Sequence, residues 1–211
     1  MTSWWKPVTP EWVKPTKAQV DDLHWLSYRV FREQDTPATA GIVATLAWVR
    51  GGRPAPITER DTQPVSAGAA QFEQWAAVAV MDPDGPCPPL ELLAAQSGVP
   101  YLPPQATNPK WAHSTWRTLL WLAGATNAAS PIPVPRRHPD GTALTEDDFL
   151  RELLADPRCS LPEARAQARI DAAAHAQRNR GLVALIDQTQ RELGAQAGPT
   201  EQLYTYRPNR H

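Results

Sequence analysis

Two pairs of adjacent carboxylates and a nearby histidine are the residues best suited to acid–base chemistry in this sequence. Asp21 and Asp22 precede His24 in one predicted helix, and Asp147 and Asp148 lie in the first turn of another. Neighbouring positions on a helix point about 100° apart, so neither carboxylate pair converges on one substrate. The negative charge of the second pair also complements a helix dipole. A structural role therefore accounts for both pairs.

The histidines and cysteines form no catalytic or metal-binding pattern. The sequence has no H-E-x-x-H motif, no pair of histidines four residues apart, and no ligand spacing between its two cysteines. Nucleotide-binding loops and nucleophile elbows are also absent from it. We therefore predict no cofactor. An enzyme is the third interpretation, which would require a deep pocket that gathers residues such as His24, His113, Asp21 and Asp22.

A basic tripeptide, Arg136, Arg137 and His138, stands just before the turn dipeptide Asp140-Gly141. A turn exposed to solvent explains these residues, because Asp-Gly is a common turn sequence. The alternative is a small anion-binding spot formed by the three basic side chains.

Residues 90–99 resemble the first helix and the turn of a helix-turn-helix motif, with apolar residues at core spacing and Gly98 at the turn. In that motif the second helix begins within a few residues, whereas here a proline-containing insertion of about ten residues comes first. The next helix carries Lys110 and Arg117 as candidate DNA contacts, but it also carries three tryptophans. A DNA-binding regulator that uses residues 90–124 is therefore the second interpretation.

Helix start and stop signals recur over residues 16–124, and strand signals are nearly absent. Thr16 and Gln19 match a capping box, and Asn108 followed by proline matches an N-cap and first-turn pair. Gly124 follows an apolar stretch and is expected to end its helix. We predict an all-α fold whose body is a bundle of about five helices. These helices should span roughly residues 16–34, 37–50, 65–80, 90–97 and 108–123.

The composition changes after Gly124. Residues 125–144 alternate proline with small and polar residues, which is typical of a linker or of a loop held against the body. Residues 145–194 predict a helical hairpin that ends in one long helix. The first half of that helix has only Ile170 as a large apolar anchor, so we expect it to pack on another helix.

Both ends of the chain are basic, aromatic and proline-bearing, and they are predicted to be extended. The N-terminal arm, residues 1–15, contains three tryptophans, and the tail, residues 195–211, contains two tyrosines near two arginines. The candidate partner-binding residues of these arms are Trp4, Trp5, Trp12, Tyr204, Tyr206, Arg207 and Arg210.

Three exposed indoles in water would leave a large apolar area unburied, so the N-terminal arm is expected to dock on a protein surface. One alternative is its own body, where the tryptophans would close the core. The other is a neighbouring subunit or a partner protein, because aromatic residues and arginine are enriched at interfaces.

The features of the sequence together favour a non-enzymatic interaction or assembly subunit. Compact helical bodies with extended arms occur among connector and adaptor proteins of phages and mobile elements, which is an analogy of architecture. We expect a protein partner or self-association, with nucleic acid as the alternative partner. The longest apolar runs fall short of the roughly 20 residues that a membrane helix needs, so we expect no membrane contact. The expected location is the cytoplasm, or the virion for an assembly subunit.

Overall fold

A computed structural model of the chain describes residues 9–61 and 63–194. Within these ranges it contains seven α-helices and a single isolated β-bridge, Arg137–Ala143, which confirms the predicted all-α fold. A 3₁₀ turn, Pro157–Ser160, precedes the last helix. The helices are α1 (Lys17–Gln34), α2 (Pro37–Val49), α3 (Ala67–Met81), α4 (Leu90–Gln96), α5 (Pro109–Leu122), α6 (Glu146–Leu154) and α7 (Pro162–Gly194).

The helix ends follow the capping chemistry expected from the sequence. At the start of α1 the Thr16 hydroxyl accepts a hydrogen bond from Gln19 N, and the Gln19 side chain accepts one from Thr16 N. The Asn108 side chain accepts two backbone N–H groups of the first turn of α5, at 3.0 and 3.3 Å. Gly124 follows α5 with a φ of 68°, a left-handed conformation that glycine adopts without strain.

The centre of the body is the pair α2 and α5, with α1 packed on α2 and α3 packed on α5. Every residue of α2 from Thr39 to Val49 is buried, as its nearly uniform apolar sequence predicts. The two central helices approach closely at Gly41, because a Cβ atom there would collide with Ser114 Oγ and with the Trp111 carbonyl. These contacts place one face of α5 in the core of the body.

The helices α6 and α7 pack against each other as the predicted hairpin, and α7 also contacts α1. Their shared cluster includes Phe149 of α6 and the small residues Ala172 and Ala176 of α7. The long helix therefore packs on other helices as expected, but the expectation that Ile170 anchors it is wrong. Ile170 is 63% exposed, because a position two residues from Ala172 points about 200° away from the face that meets α6.

The proline-rich loop between α5 and α6 is held against the folded chain. Ile132 packs against the main core cluster. The side chain of the buried Asn179 accepts from Arg136 N at 2.7 Å and donates to the carbonyls of Arg136 and Leu144, both at 3.1 Å. Of the two alternatives for residues 125–144, the structure shows a loop held against the body.

Candidate functional site

Three large apolar side chains are exposed on the α6–α7 hairpin. Leu154, at the end of α6, is 43% exposed, and Leu161 and Ile170 are 62% and 63% exposed. Single exposed apolar residues are ordinary on protein surfaces, whereas larger apolar areas mark interaction sites. We refer to Leu154, Leu161 and Ile170 as the hairpin surface.

A cavity of about 390 Å³ lies at the end of the hairpin and includes Leu154 in its wall. Its wall also contains Pro157, Cys159 and the arginines Arg165 and Arg169. The Arg165 Nε–H donates to the Cys159 carbonyl at 3.3 Å, which ties the start of α7 to the preceding turn. The cavity thus combines apolar side chains with two guanidinium groups.

Asp156, also in the cavity wall, is matched in charge by a neighbour. The Arg158 Nη2–H donates to Asp156 Oδ2 at 2.6 Å. Hydrogen bonds from the Arg158 side chain and backbone lower the pKa of Asp156 to about 2. Because Arg158 balances this carboxylate, Arg165 and Arg169 give the wall a net positive charge. Such a wall suits a protein surface that presents apolar and acidic groups.

Asp21 and His24, two of the residues considered for a dispersed active site, meet through Arg50. Arg50 Nη2 donates to Asp21 Oδ1 at 2.7 Å, and Arg50 Nη1 donates to His24 Nδ1 at 2.8 Å. Burial, and then the charge of Arg50, lower the pKa of His24 to about 3. The imidazole is therefore neutral at neutral pH, with Nδ1 as an acceptor and its proton on Nε2.

The other two residues of that set lie elsewhere. Asp22 is buried and accepts hydrogen bonds from Arg137 at 2.5 and 3.0 Å. His113 is exposed on α5, beside the ring of Trp116. Both aspartates of α1 are held by arginines, which favours a structural role for them. A dispersed catalytic site stays a prediction.

Each basic residue of the predicted anion spot contacts a carboxylate. The pairs, with N–O distances of 2.8, 2.5 and 3.0 Å, are Arg136–Glu152, Arg137–Asp22 and His138–Asp148. The side chains of Asp22 and Arg137 are 7% and 17% exposed, so this pair is the most enclosed of the three. The three basic side chains already donate to these carboxylates, and an incoming anion would need the same donors. The pairs also fix the loop in place. Anion binding here stays a prediction.

The helix–turn segment and α5 are placed as parts of the body. In α4 the residues Leu93 and Ala94 are buried against Phe72 of α3. In α5 the ring of Trp111 is buried and its Nε1–H donates to the Pro56 carbonyl at 3.1 Å. An interior position thus explains why a helix with basic residues also carries tryptophans. The basic residues Lys110 and Arg117 are exposed and half-buried, respectively.

Of the arm residues, only Trp12 lies within the described chain. Its Nε1–H donates to the Val65 carbonyl at 2.9 Å, and its ring packs against the core cluster of the body. At the same place Lys14 N donates to the Leu122 carbonyl at 2.8 Å. Residues 9–15 therefore dock on their own body. The remaining arm and tail candidates, Trp4, Trp5, Tyr204, Tyr206, Arg207 and Arg210, lie outside the described residues.

A buried polar cluster joins α3 to the loop between α2 and α3. The Glu73 carboxylate accepts hydrogen bonds from Ile57 N, from Thr58 N at 3.1 Å and from Thr58 Oγ1 at 2.7 Å. Burial raises the pKa of Glu73 above its ordinary value of 4.5, while these hydrogen bonds and the charge of Arg60 oppose that rise. Arg60 itself is buried and donates to the Pro100 carbonyl at 2.5 Å.

This cluster is absent from the sequence-based predictions because glutamate in an amphipathic helix ordinarily faces water. The signal that could have revealed it is the helical period. Glu73 lies four residues after Ala69 and three before Ala76, both of which are buried, so it occupies the inward face of α3.

Within residues 9–61 and 63–194, no three histidine, cysteine or carboxylate side chains are grouped as ligands for a metal ion. None of the helices in this part of the chain combines the length and the apolar character of a membrane span. A scan against family models and searches of curated proteins and of solved structures returned no match to this chain. The function is therefore inferred from the residues of the chain itself.

Proposed function

We propose that this protein is a non-enzymatic interaction or assembly subunit and that the hairpin surface is its contact site. The observation that supports this most directly is the exposure of Leu154, Leu161 and Ile170 on one hairpin. Complete burial of one leucine or isoleucine side chain contributes about 1.5–3 kcal/mol. A partner that covered this surface would therefore gain binding free energy from the hydrophobic effect.

The arginines beside this surface support a protein partner rather than a small molecule. Arg165 and Arg169 line a cavity that also contains Leu154, and arginine next to apolar side chains is typical of protein interfaces. The partner should present apolar residues with acidic neighbours. Connector or adaptor roles in phages and mobile elements remain an analogy of architecture.

Replacing Leu161 and Ile170 together with glutamate should weaken association, because each change removes apolar contact and adds a charge that would be buried in the complex. We expect the dissociation constant of the self-association, or of the complex with a native partner, to rise at least about tenfold, the change that about 1.4 kcal/mol produces. Light scattering over a range of concentrations measures self-association. Chemical cross-linking in the native cells measures the complex with a native partner.

The matched control is the double variant Q71E/Q96E, which adds two carboxylates at exposed positions of α3 and α4. This control should associate like the unchanged protein. The proposed function requires a complex that is lost in L161E/I170E and kept in Q71E/Q96E. If neither assay detects such a complex, the proposed function is wrong.

A DNA-binding regulator is the second candidate, and one observation favours it. Lys110, His113 and Arg117 are spaced by three and four residues, so they share the side of α5 that faces away from the buried tryptophan Trp111. Two basic side chains and a histidine along one helix edge could contact successive phosphates.

The DNA-binding alternative predicts a strongly salt-dependent affinity for duplex DNA. The double variant K110A/R117A should reduce the slope of log affinity against log salt by about two, because each lost phosphate contact removes about one unit. Fluorescence anisotropy measures the slope. The informative salt concentrations run from about 50 to about 200 mM. The control R178A/R180A changes two exposed arginines of α7. An affinity that does not respond to salt would exclude this alternative.

A further inference from the structure

The apolar clusters of the described chain divide into two groups along the sequence. One cluster belongs to the hairpin and consists of Leu144, Phe149, Leu150, Leu153, Ala172 and Ala176. The other three clusters belong to the body, and their members lie between Trp12 and Val134. The hairpin therefore has an apolar core of its own.

The change from one group to the other occurs within three residues of the loop between α5 and α6. Val134 packs against the main core cluster of the body. The backbone N–H and carbonyl of Arg136 are both hydrogen-bonded to the Asn179 side chain of α7. The Arg136 guanidinium also pairs with Glu152 of α6 at 2.8 Å. The chain from Arg136 onward is therefore attached to the hairpin, and we call residues 136–194 the hairpin unit.

Polar contacts join the hairpin unit to α1. Arg137 donates from Nε and Nη2 to the two carboxylate oxygens of Asp22, at 2.5 and 3.0 Å. Farther along α1, Arg29 donates to Thr189 Oγ1 at 3.4 Å and lies 3.7 Å from a carboxylate oxygen of Glu192. Two arginines therefore cross the junction, one from each side.

Apolar burial is limited along the second half of α7. Ile186 is the one large apolar residue of the described part of this helix that is buried, whereas Leu182, Val183 and Leu185 are half-buried. Apolar surface loses free energy when it returns to water, whereas charged groups regain the hydration that they lost on burial. We therefore expect separation of the hairpin unit from α1 to require less free energy than disruption of either apolar core.

We propose that the hairpin unit moves away from α1 as one body while its own core stays intact, and that the Asp22–Arg137 pair holds it in the closed position. The two side chains of this pair are 7% and 17% exposed, which makes it the most enclosed ion pair at the junction. The inference goes beyond the proposed function, because it concerns a movement rather than a contact site. The open state exposes the side of α7 that carries Thr189, which is buried in the closed state.

Labelling of a cysteine at position 189 with a maleimide reagent tests this movement in the full chain. The reporter variant is Thr189→Cys, in a background in which Cys87 and Cys159 are replaced by serine. A buried thiol reacts only when the structure around it opens, so its labelling rate follows the population of the open state. Adding Arg137→Ala should raise this rate at least about tenfold, the change that about 1.4 kcal/mol produces.

Two reference positions and one matched control separate this movement from a general loss of stability. Ala172→Cys lies in the hairpin core and Thr115→Cys in the core of the body, and both residues are 0% exposed. Arg137→Ala should leave the labelling rates at these two positions unchanged. The matched control is Arg136→Ala, because its ion pair with Glu152 lies within the hairpin unit. This control should not change the labelling rate at position 189.

Three outcomes would overturn the proposal. An unchanged rate at position 189 in Arg137→Ala would show that the ion pair does not hold the hairpin unit. Equal acceleration at positions 189 and 172 would show that the hairpin unfolds instead of moving as one body. Equal acceleration at positions 189 and 115 would show that the whole chain has lost stability. Ala176→Cys, also at a position that is 0% exposed, replaces Ala172→Cys if circular dichroism shows the latter to be unfolded.

Discussion

Replacing Glu73 with alanine is expected to lower the free energy of unfolding by about 3–5 kcal/mol, because each buried donor left without an acceptor costs about 1–3 kcal/mol. The variant removes the acceptor for Ile57 N, Thr58 N and Thr58 Oγ1 at once. It also removes a negative charge that favours the charged form of the buried Arg60. Urea unfolding followed by circular dichroism measures the loss.

Two further variants identify the cause of that loss. Glu73→Gln keeps the volume of the side chain and one carbonyl acceptor, so it should cost less than Glu73→Ala. Glu91→Ala removes an exposed glutamate of α4 and should change the free energy of unfolding by no more than about 0.5 kcal/mol. A loss below about 1 kcal/mol for Glu73→Ala would show that water replaces the carboxylate easily.

The second large effect is a loss of stability on acidification that depends on His24. Its pKa is about 3 in the folded protein against an ordinary value of 6.5. The unfolded chain therefore binds the proton more tightly, and stability that is present above pH 6.5 is lost as the pH falls toward 3. Between pH 7 and pH 5 this one group should lower the free energy of unfolding by about 2 kcal/mol.

The contribution of His24 is measured as a difference between variants, because Glu73 acts in the opposite direction. The raised pKa of Glu73 adds stability that is present below its ordinary value of 4.5 and lost as the pH rises. His24→Gln keeps an acceptor for Arg50 and does not titrate, so its stability should fall less between pH 7 and pH 5 than that of the unchanged protein. Equal pH dependence in His24→Gln and in the unchanged protein would contradict the prediction.

The helices were predictable from the sequence because their ends are defined by local chemistry. Thr16 and Asn108 cap the helices that they were expected to cap, and Gly124 follows α5 in the expected left-handed conformation. Such signals depend on residues within about one turn of each other, so they can be recognised without knowledge of the tertiary structure.

The polar contacts between elements could not be predicted in the same way. Asp22 and Arg137 are 115 residues apart in sequence, and nothing near either residue specifies the other. Ile170 was expected to be an anchor because of its size, whereas the packing of α7 on α6 uses alanine. The choice between large and small contacts depends on how closely two helices approach, which is a tertiary property.

Two polar contacts fix the helix α1 to the C-terminal part of the chain. Asp22, in its first half, holds Arg137 of the loop that leads into the hairpin, and Arg29, in its second half, donates to Thr189 Oγ1 of α7 at 3.4 Å. Because the two contacts lie in different halves of the helix, α1 cannot rotate about either one alone. A force applied at the far end of the hairpin would therefore be transmitted to α1.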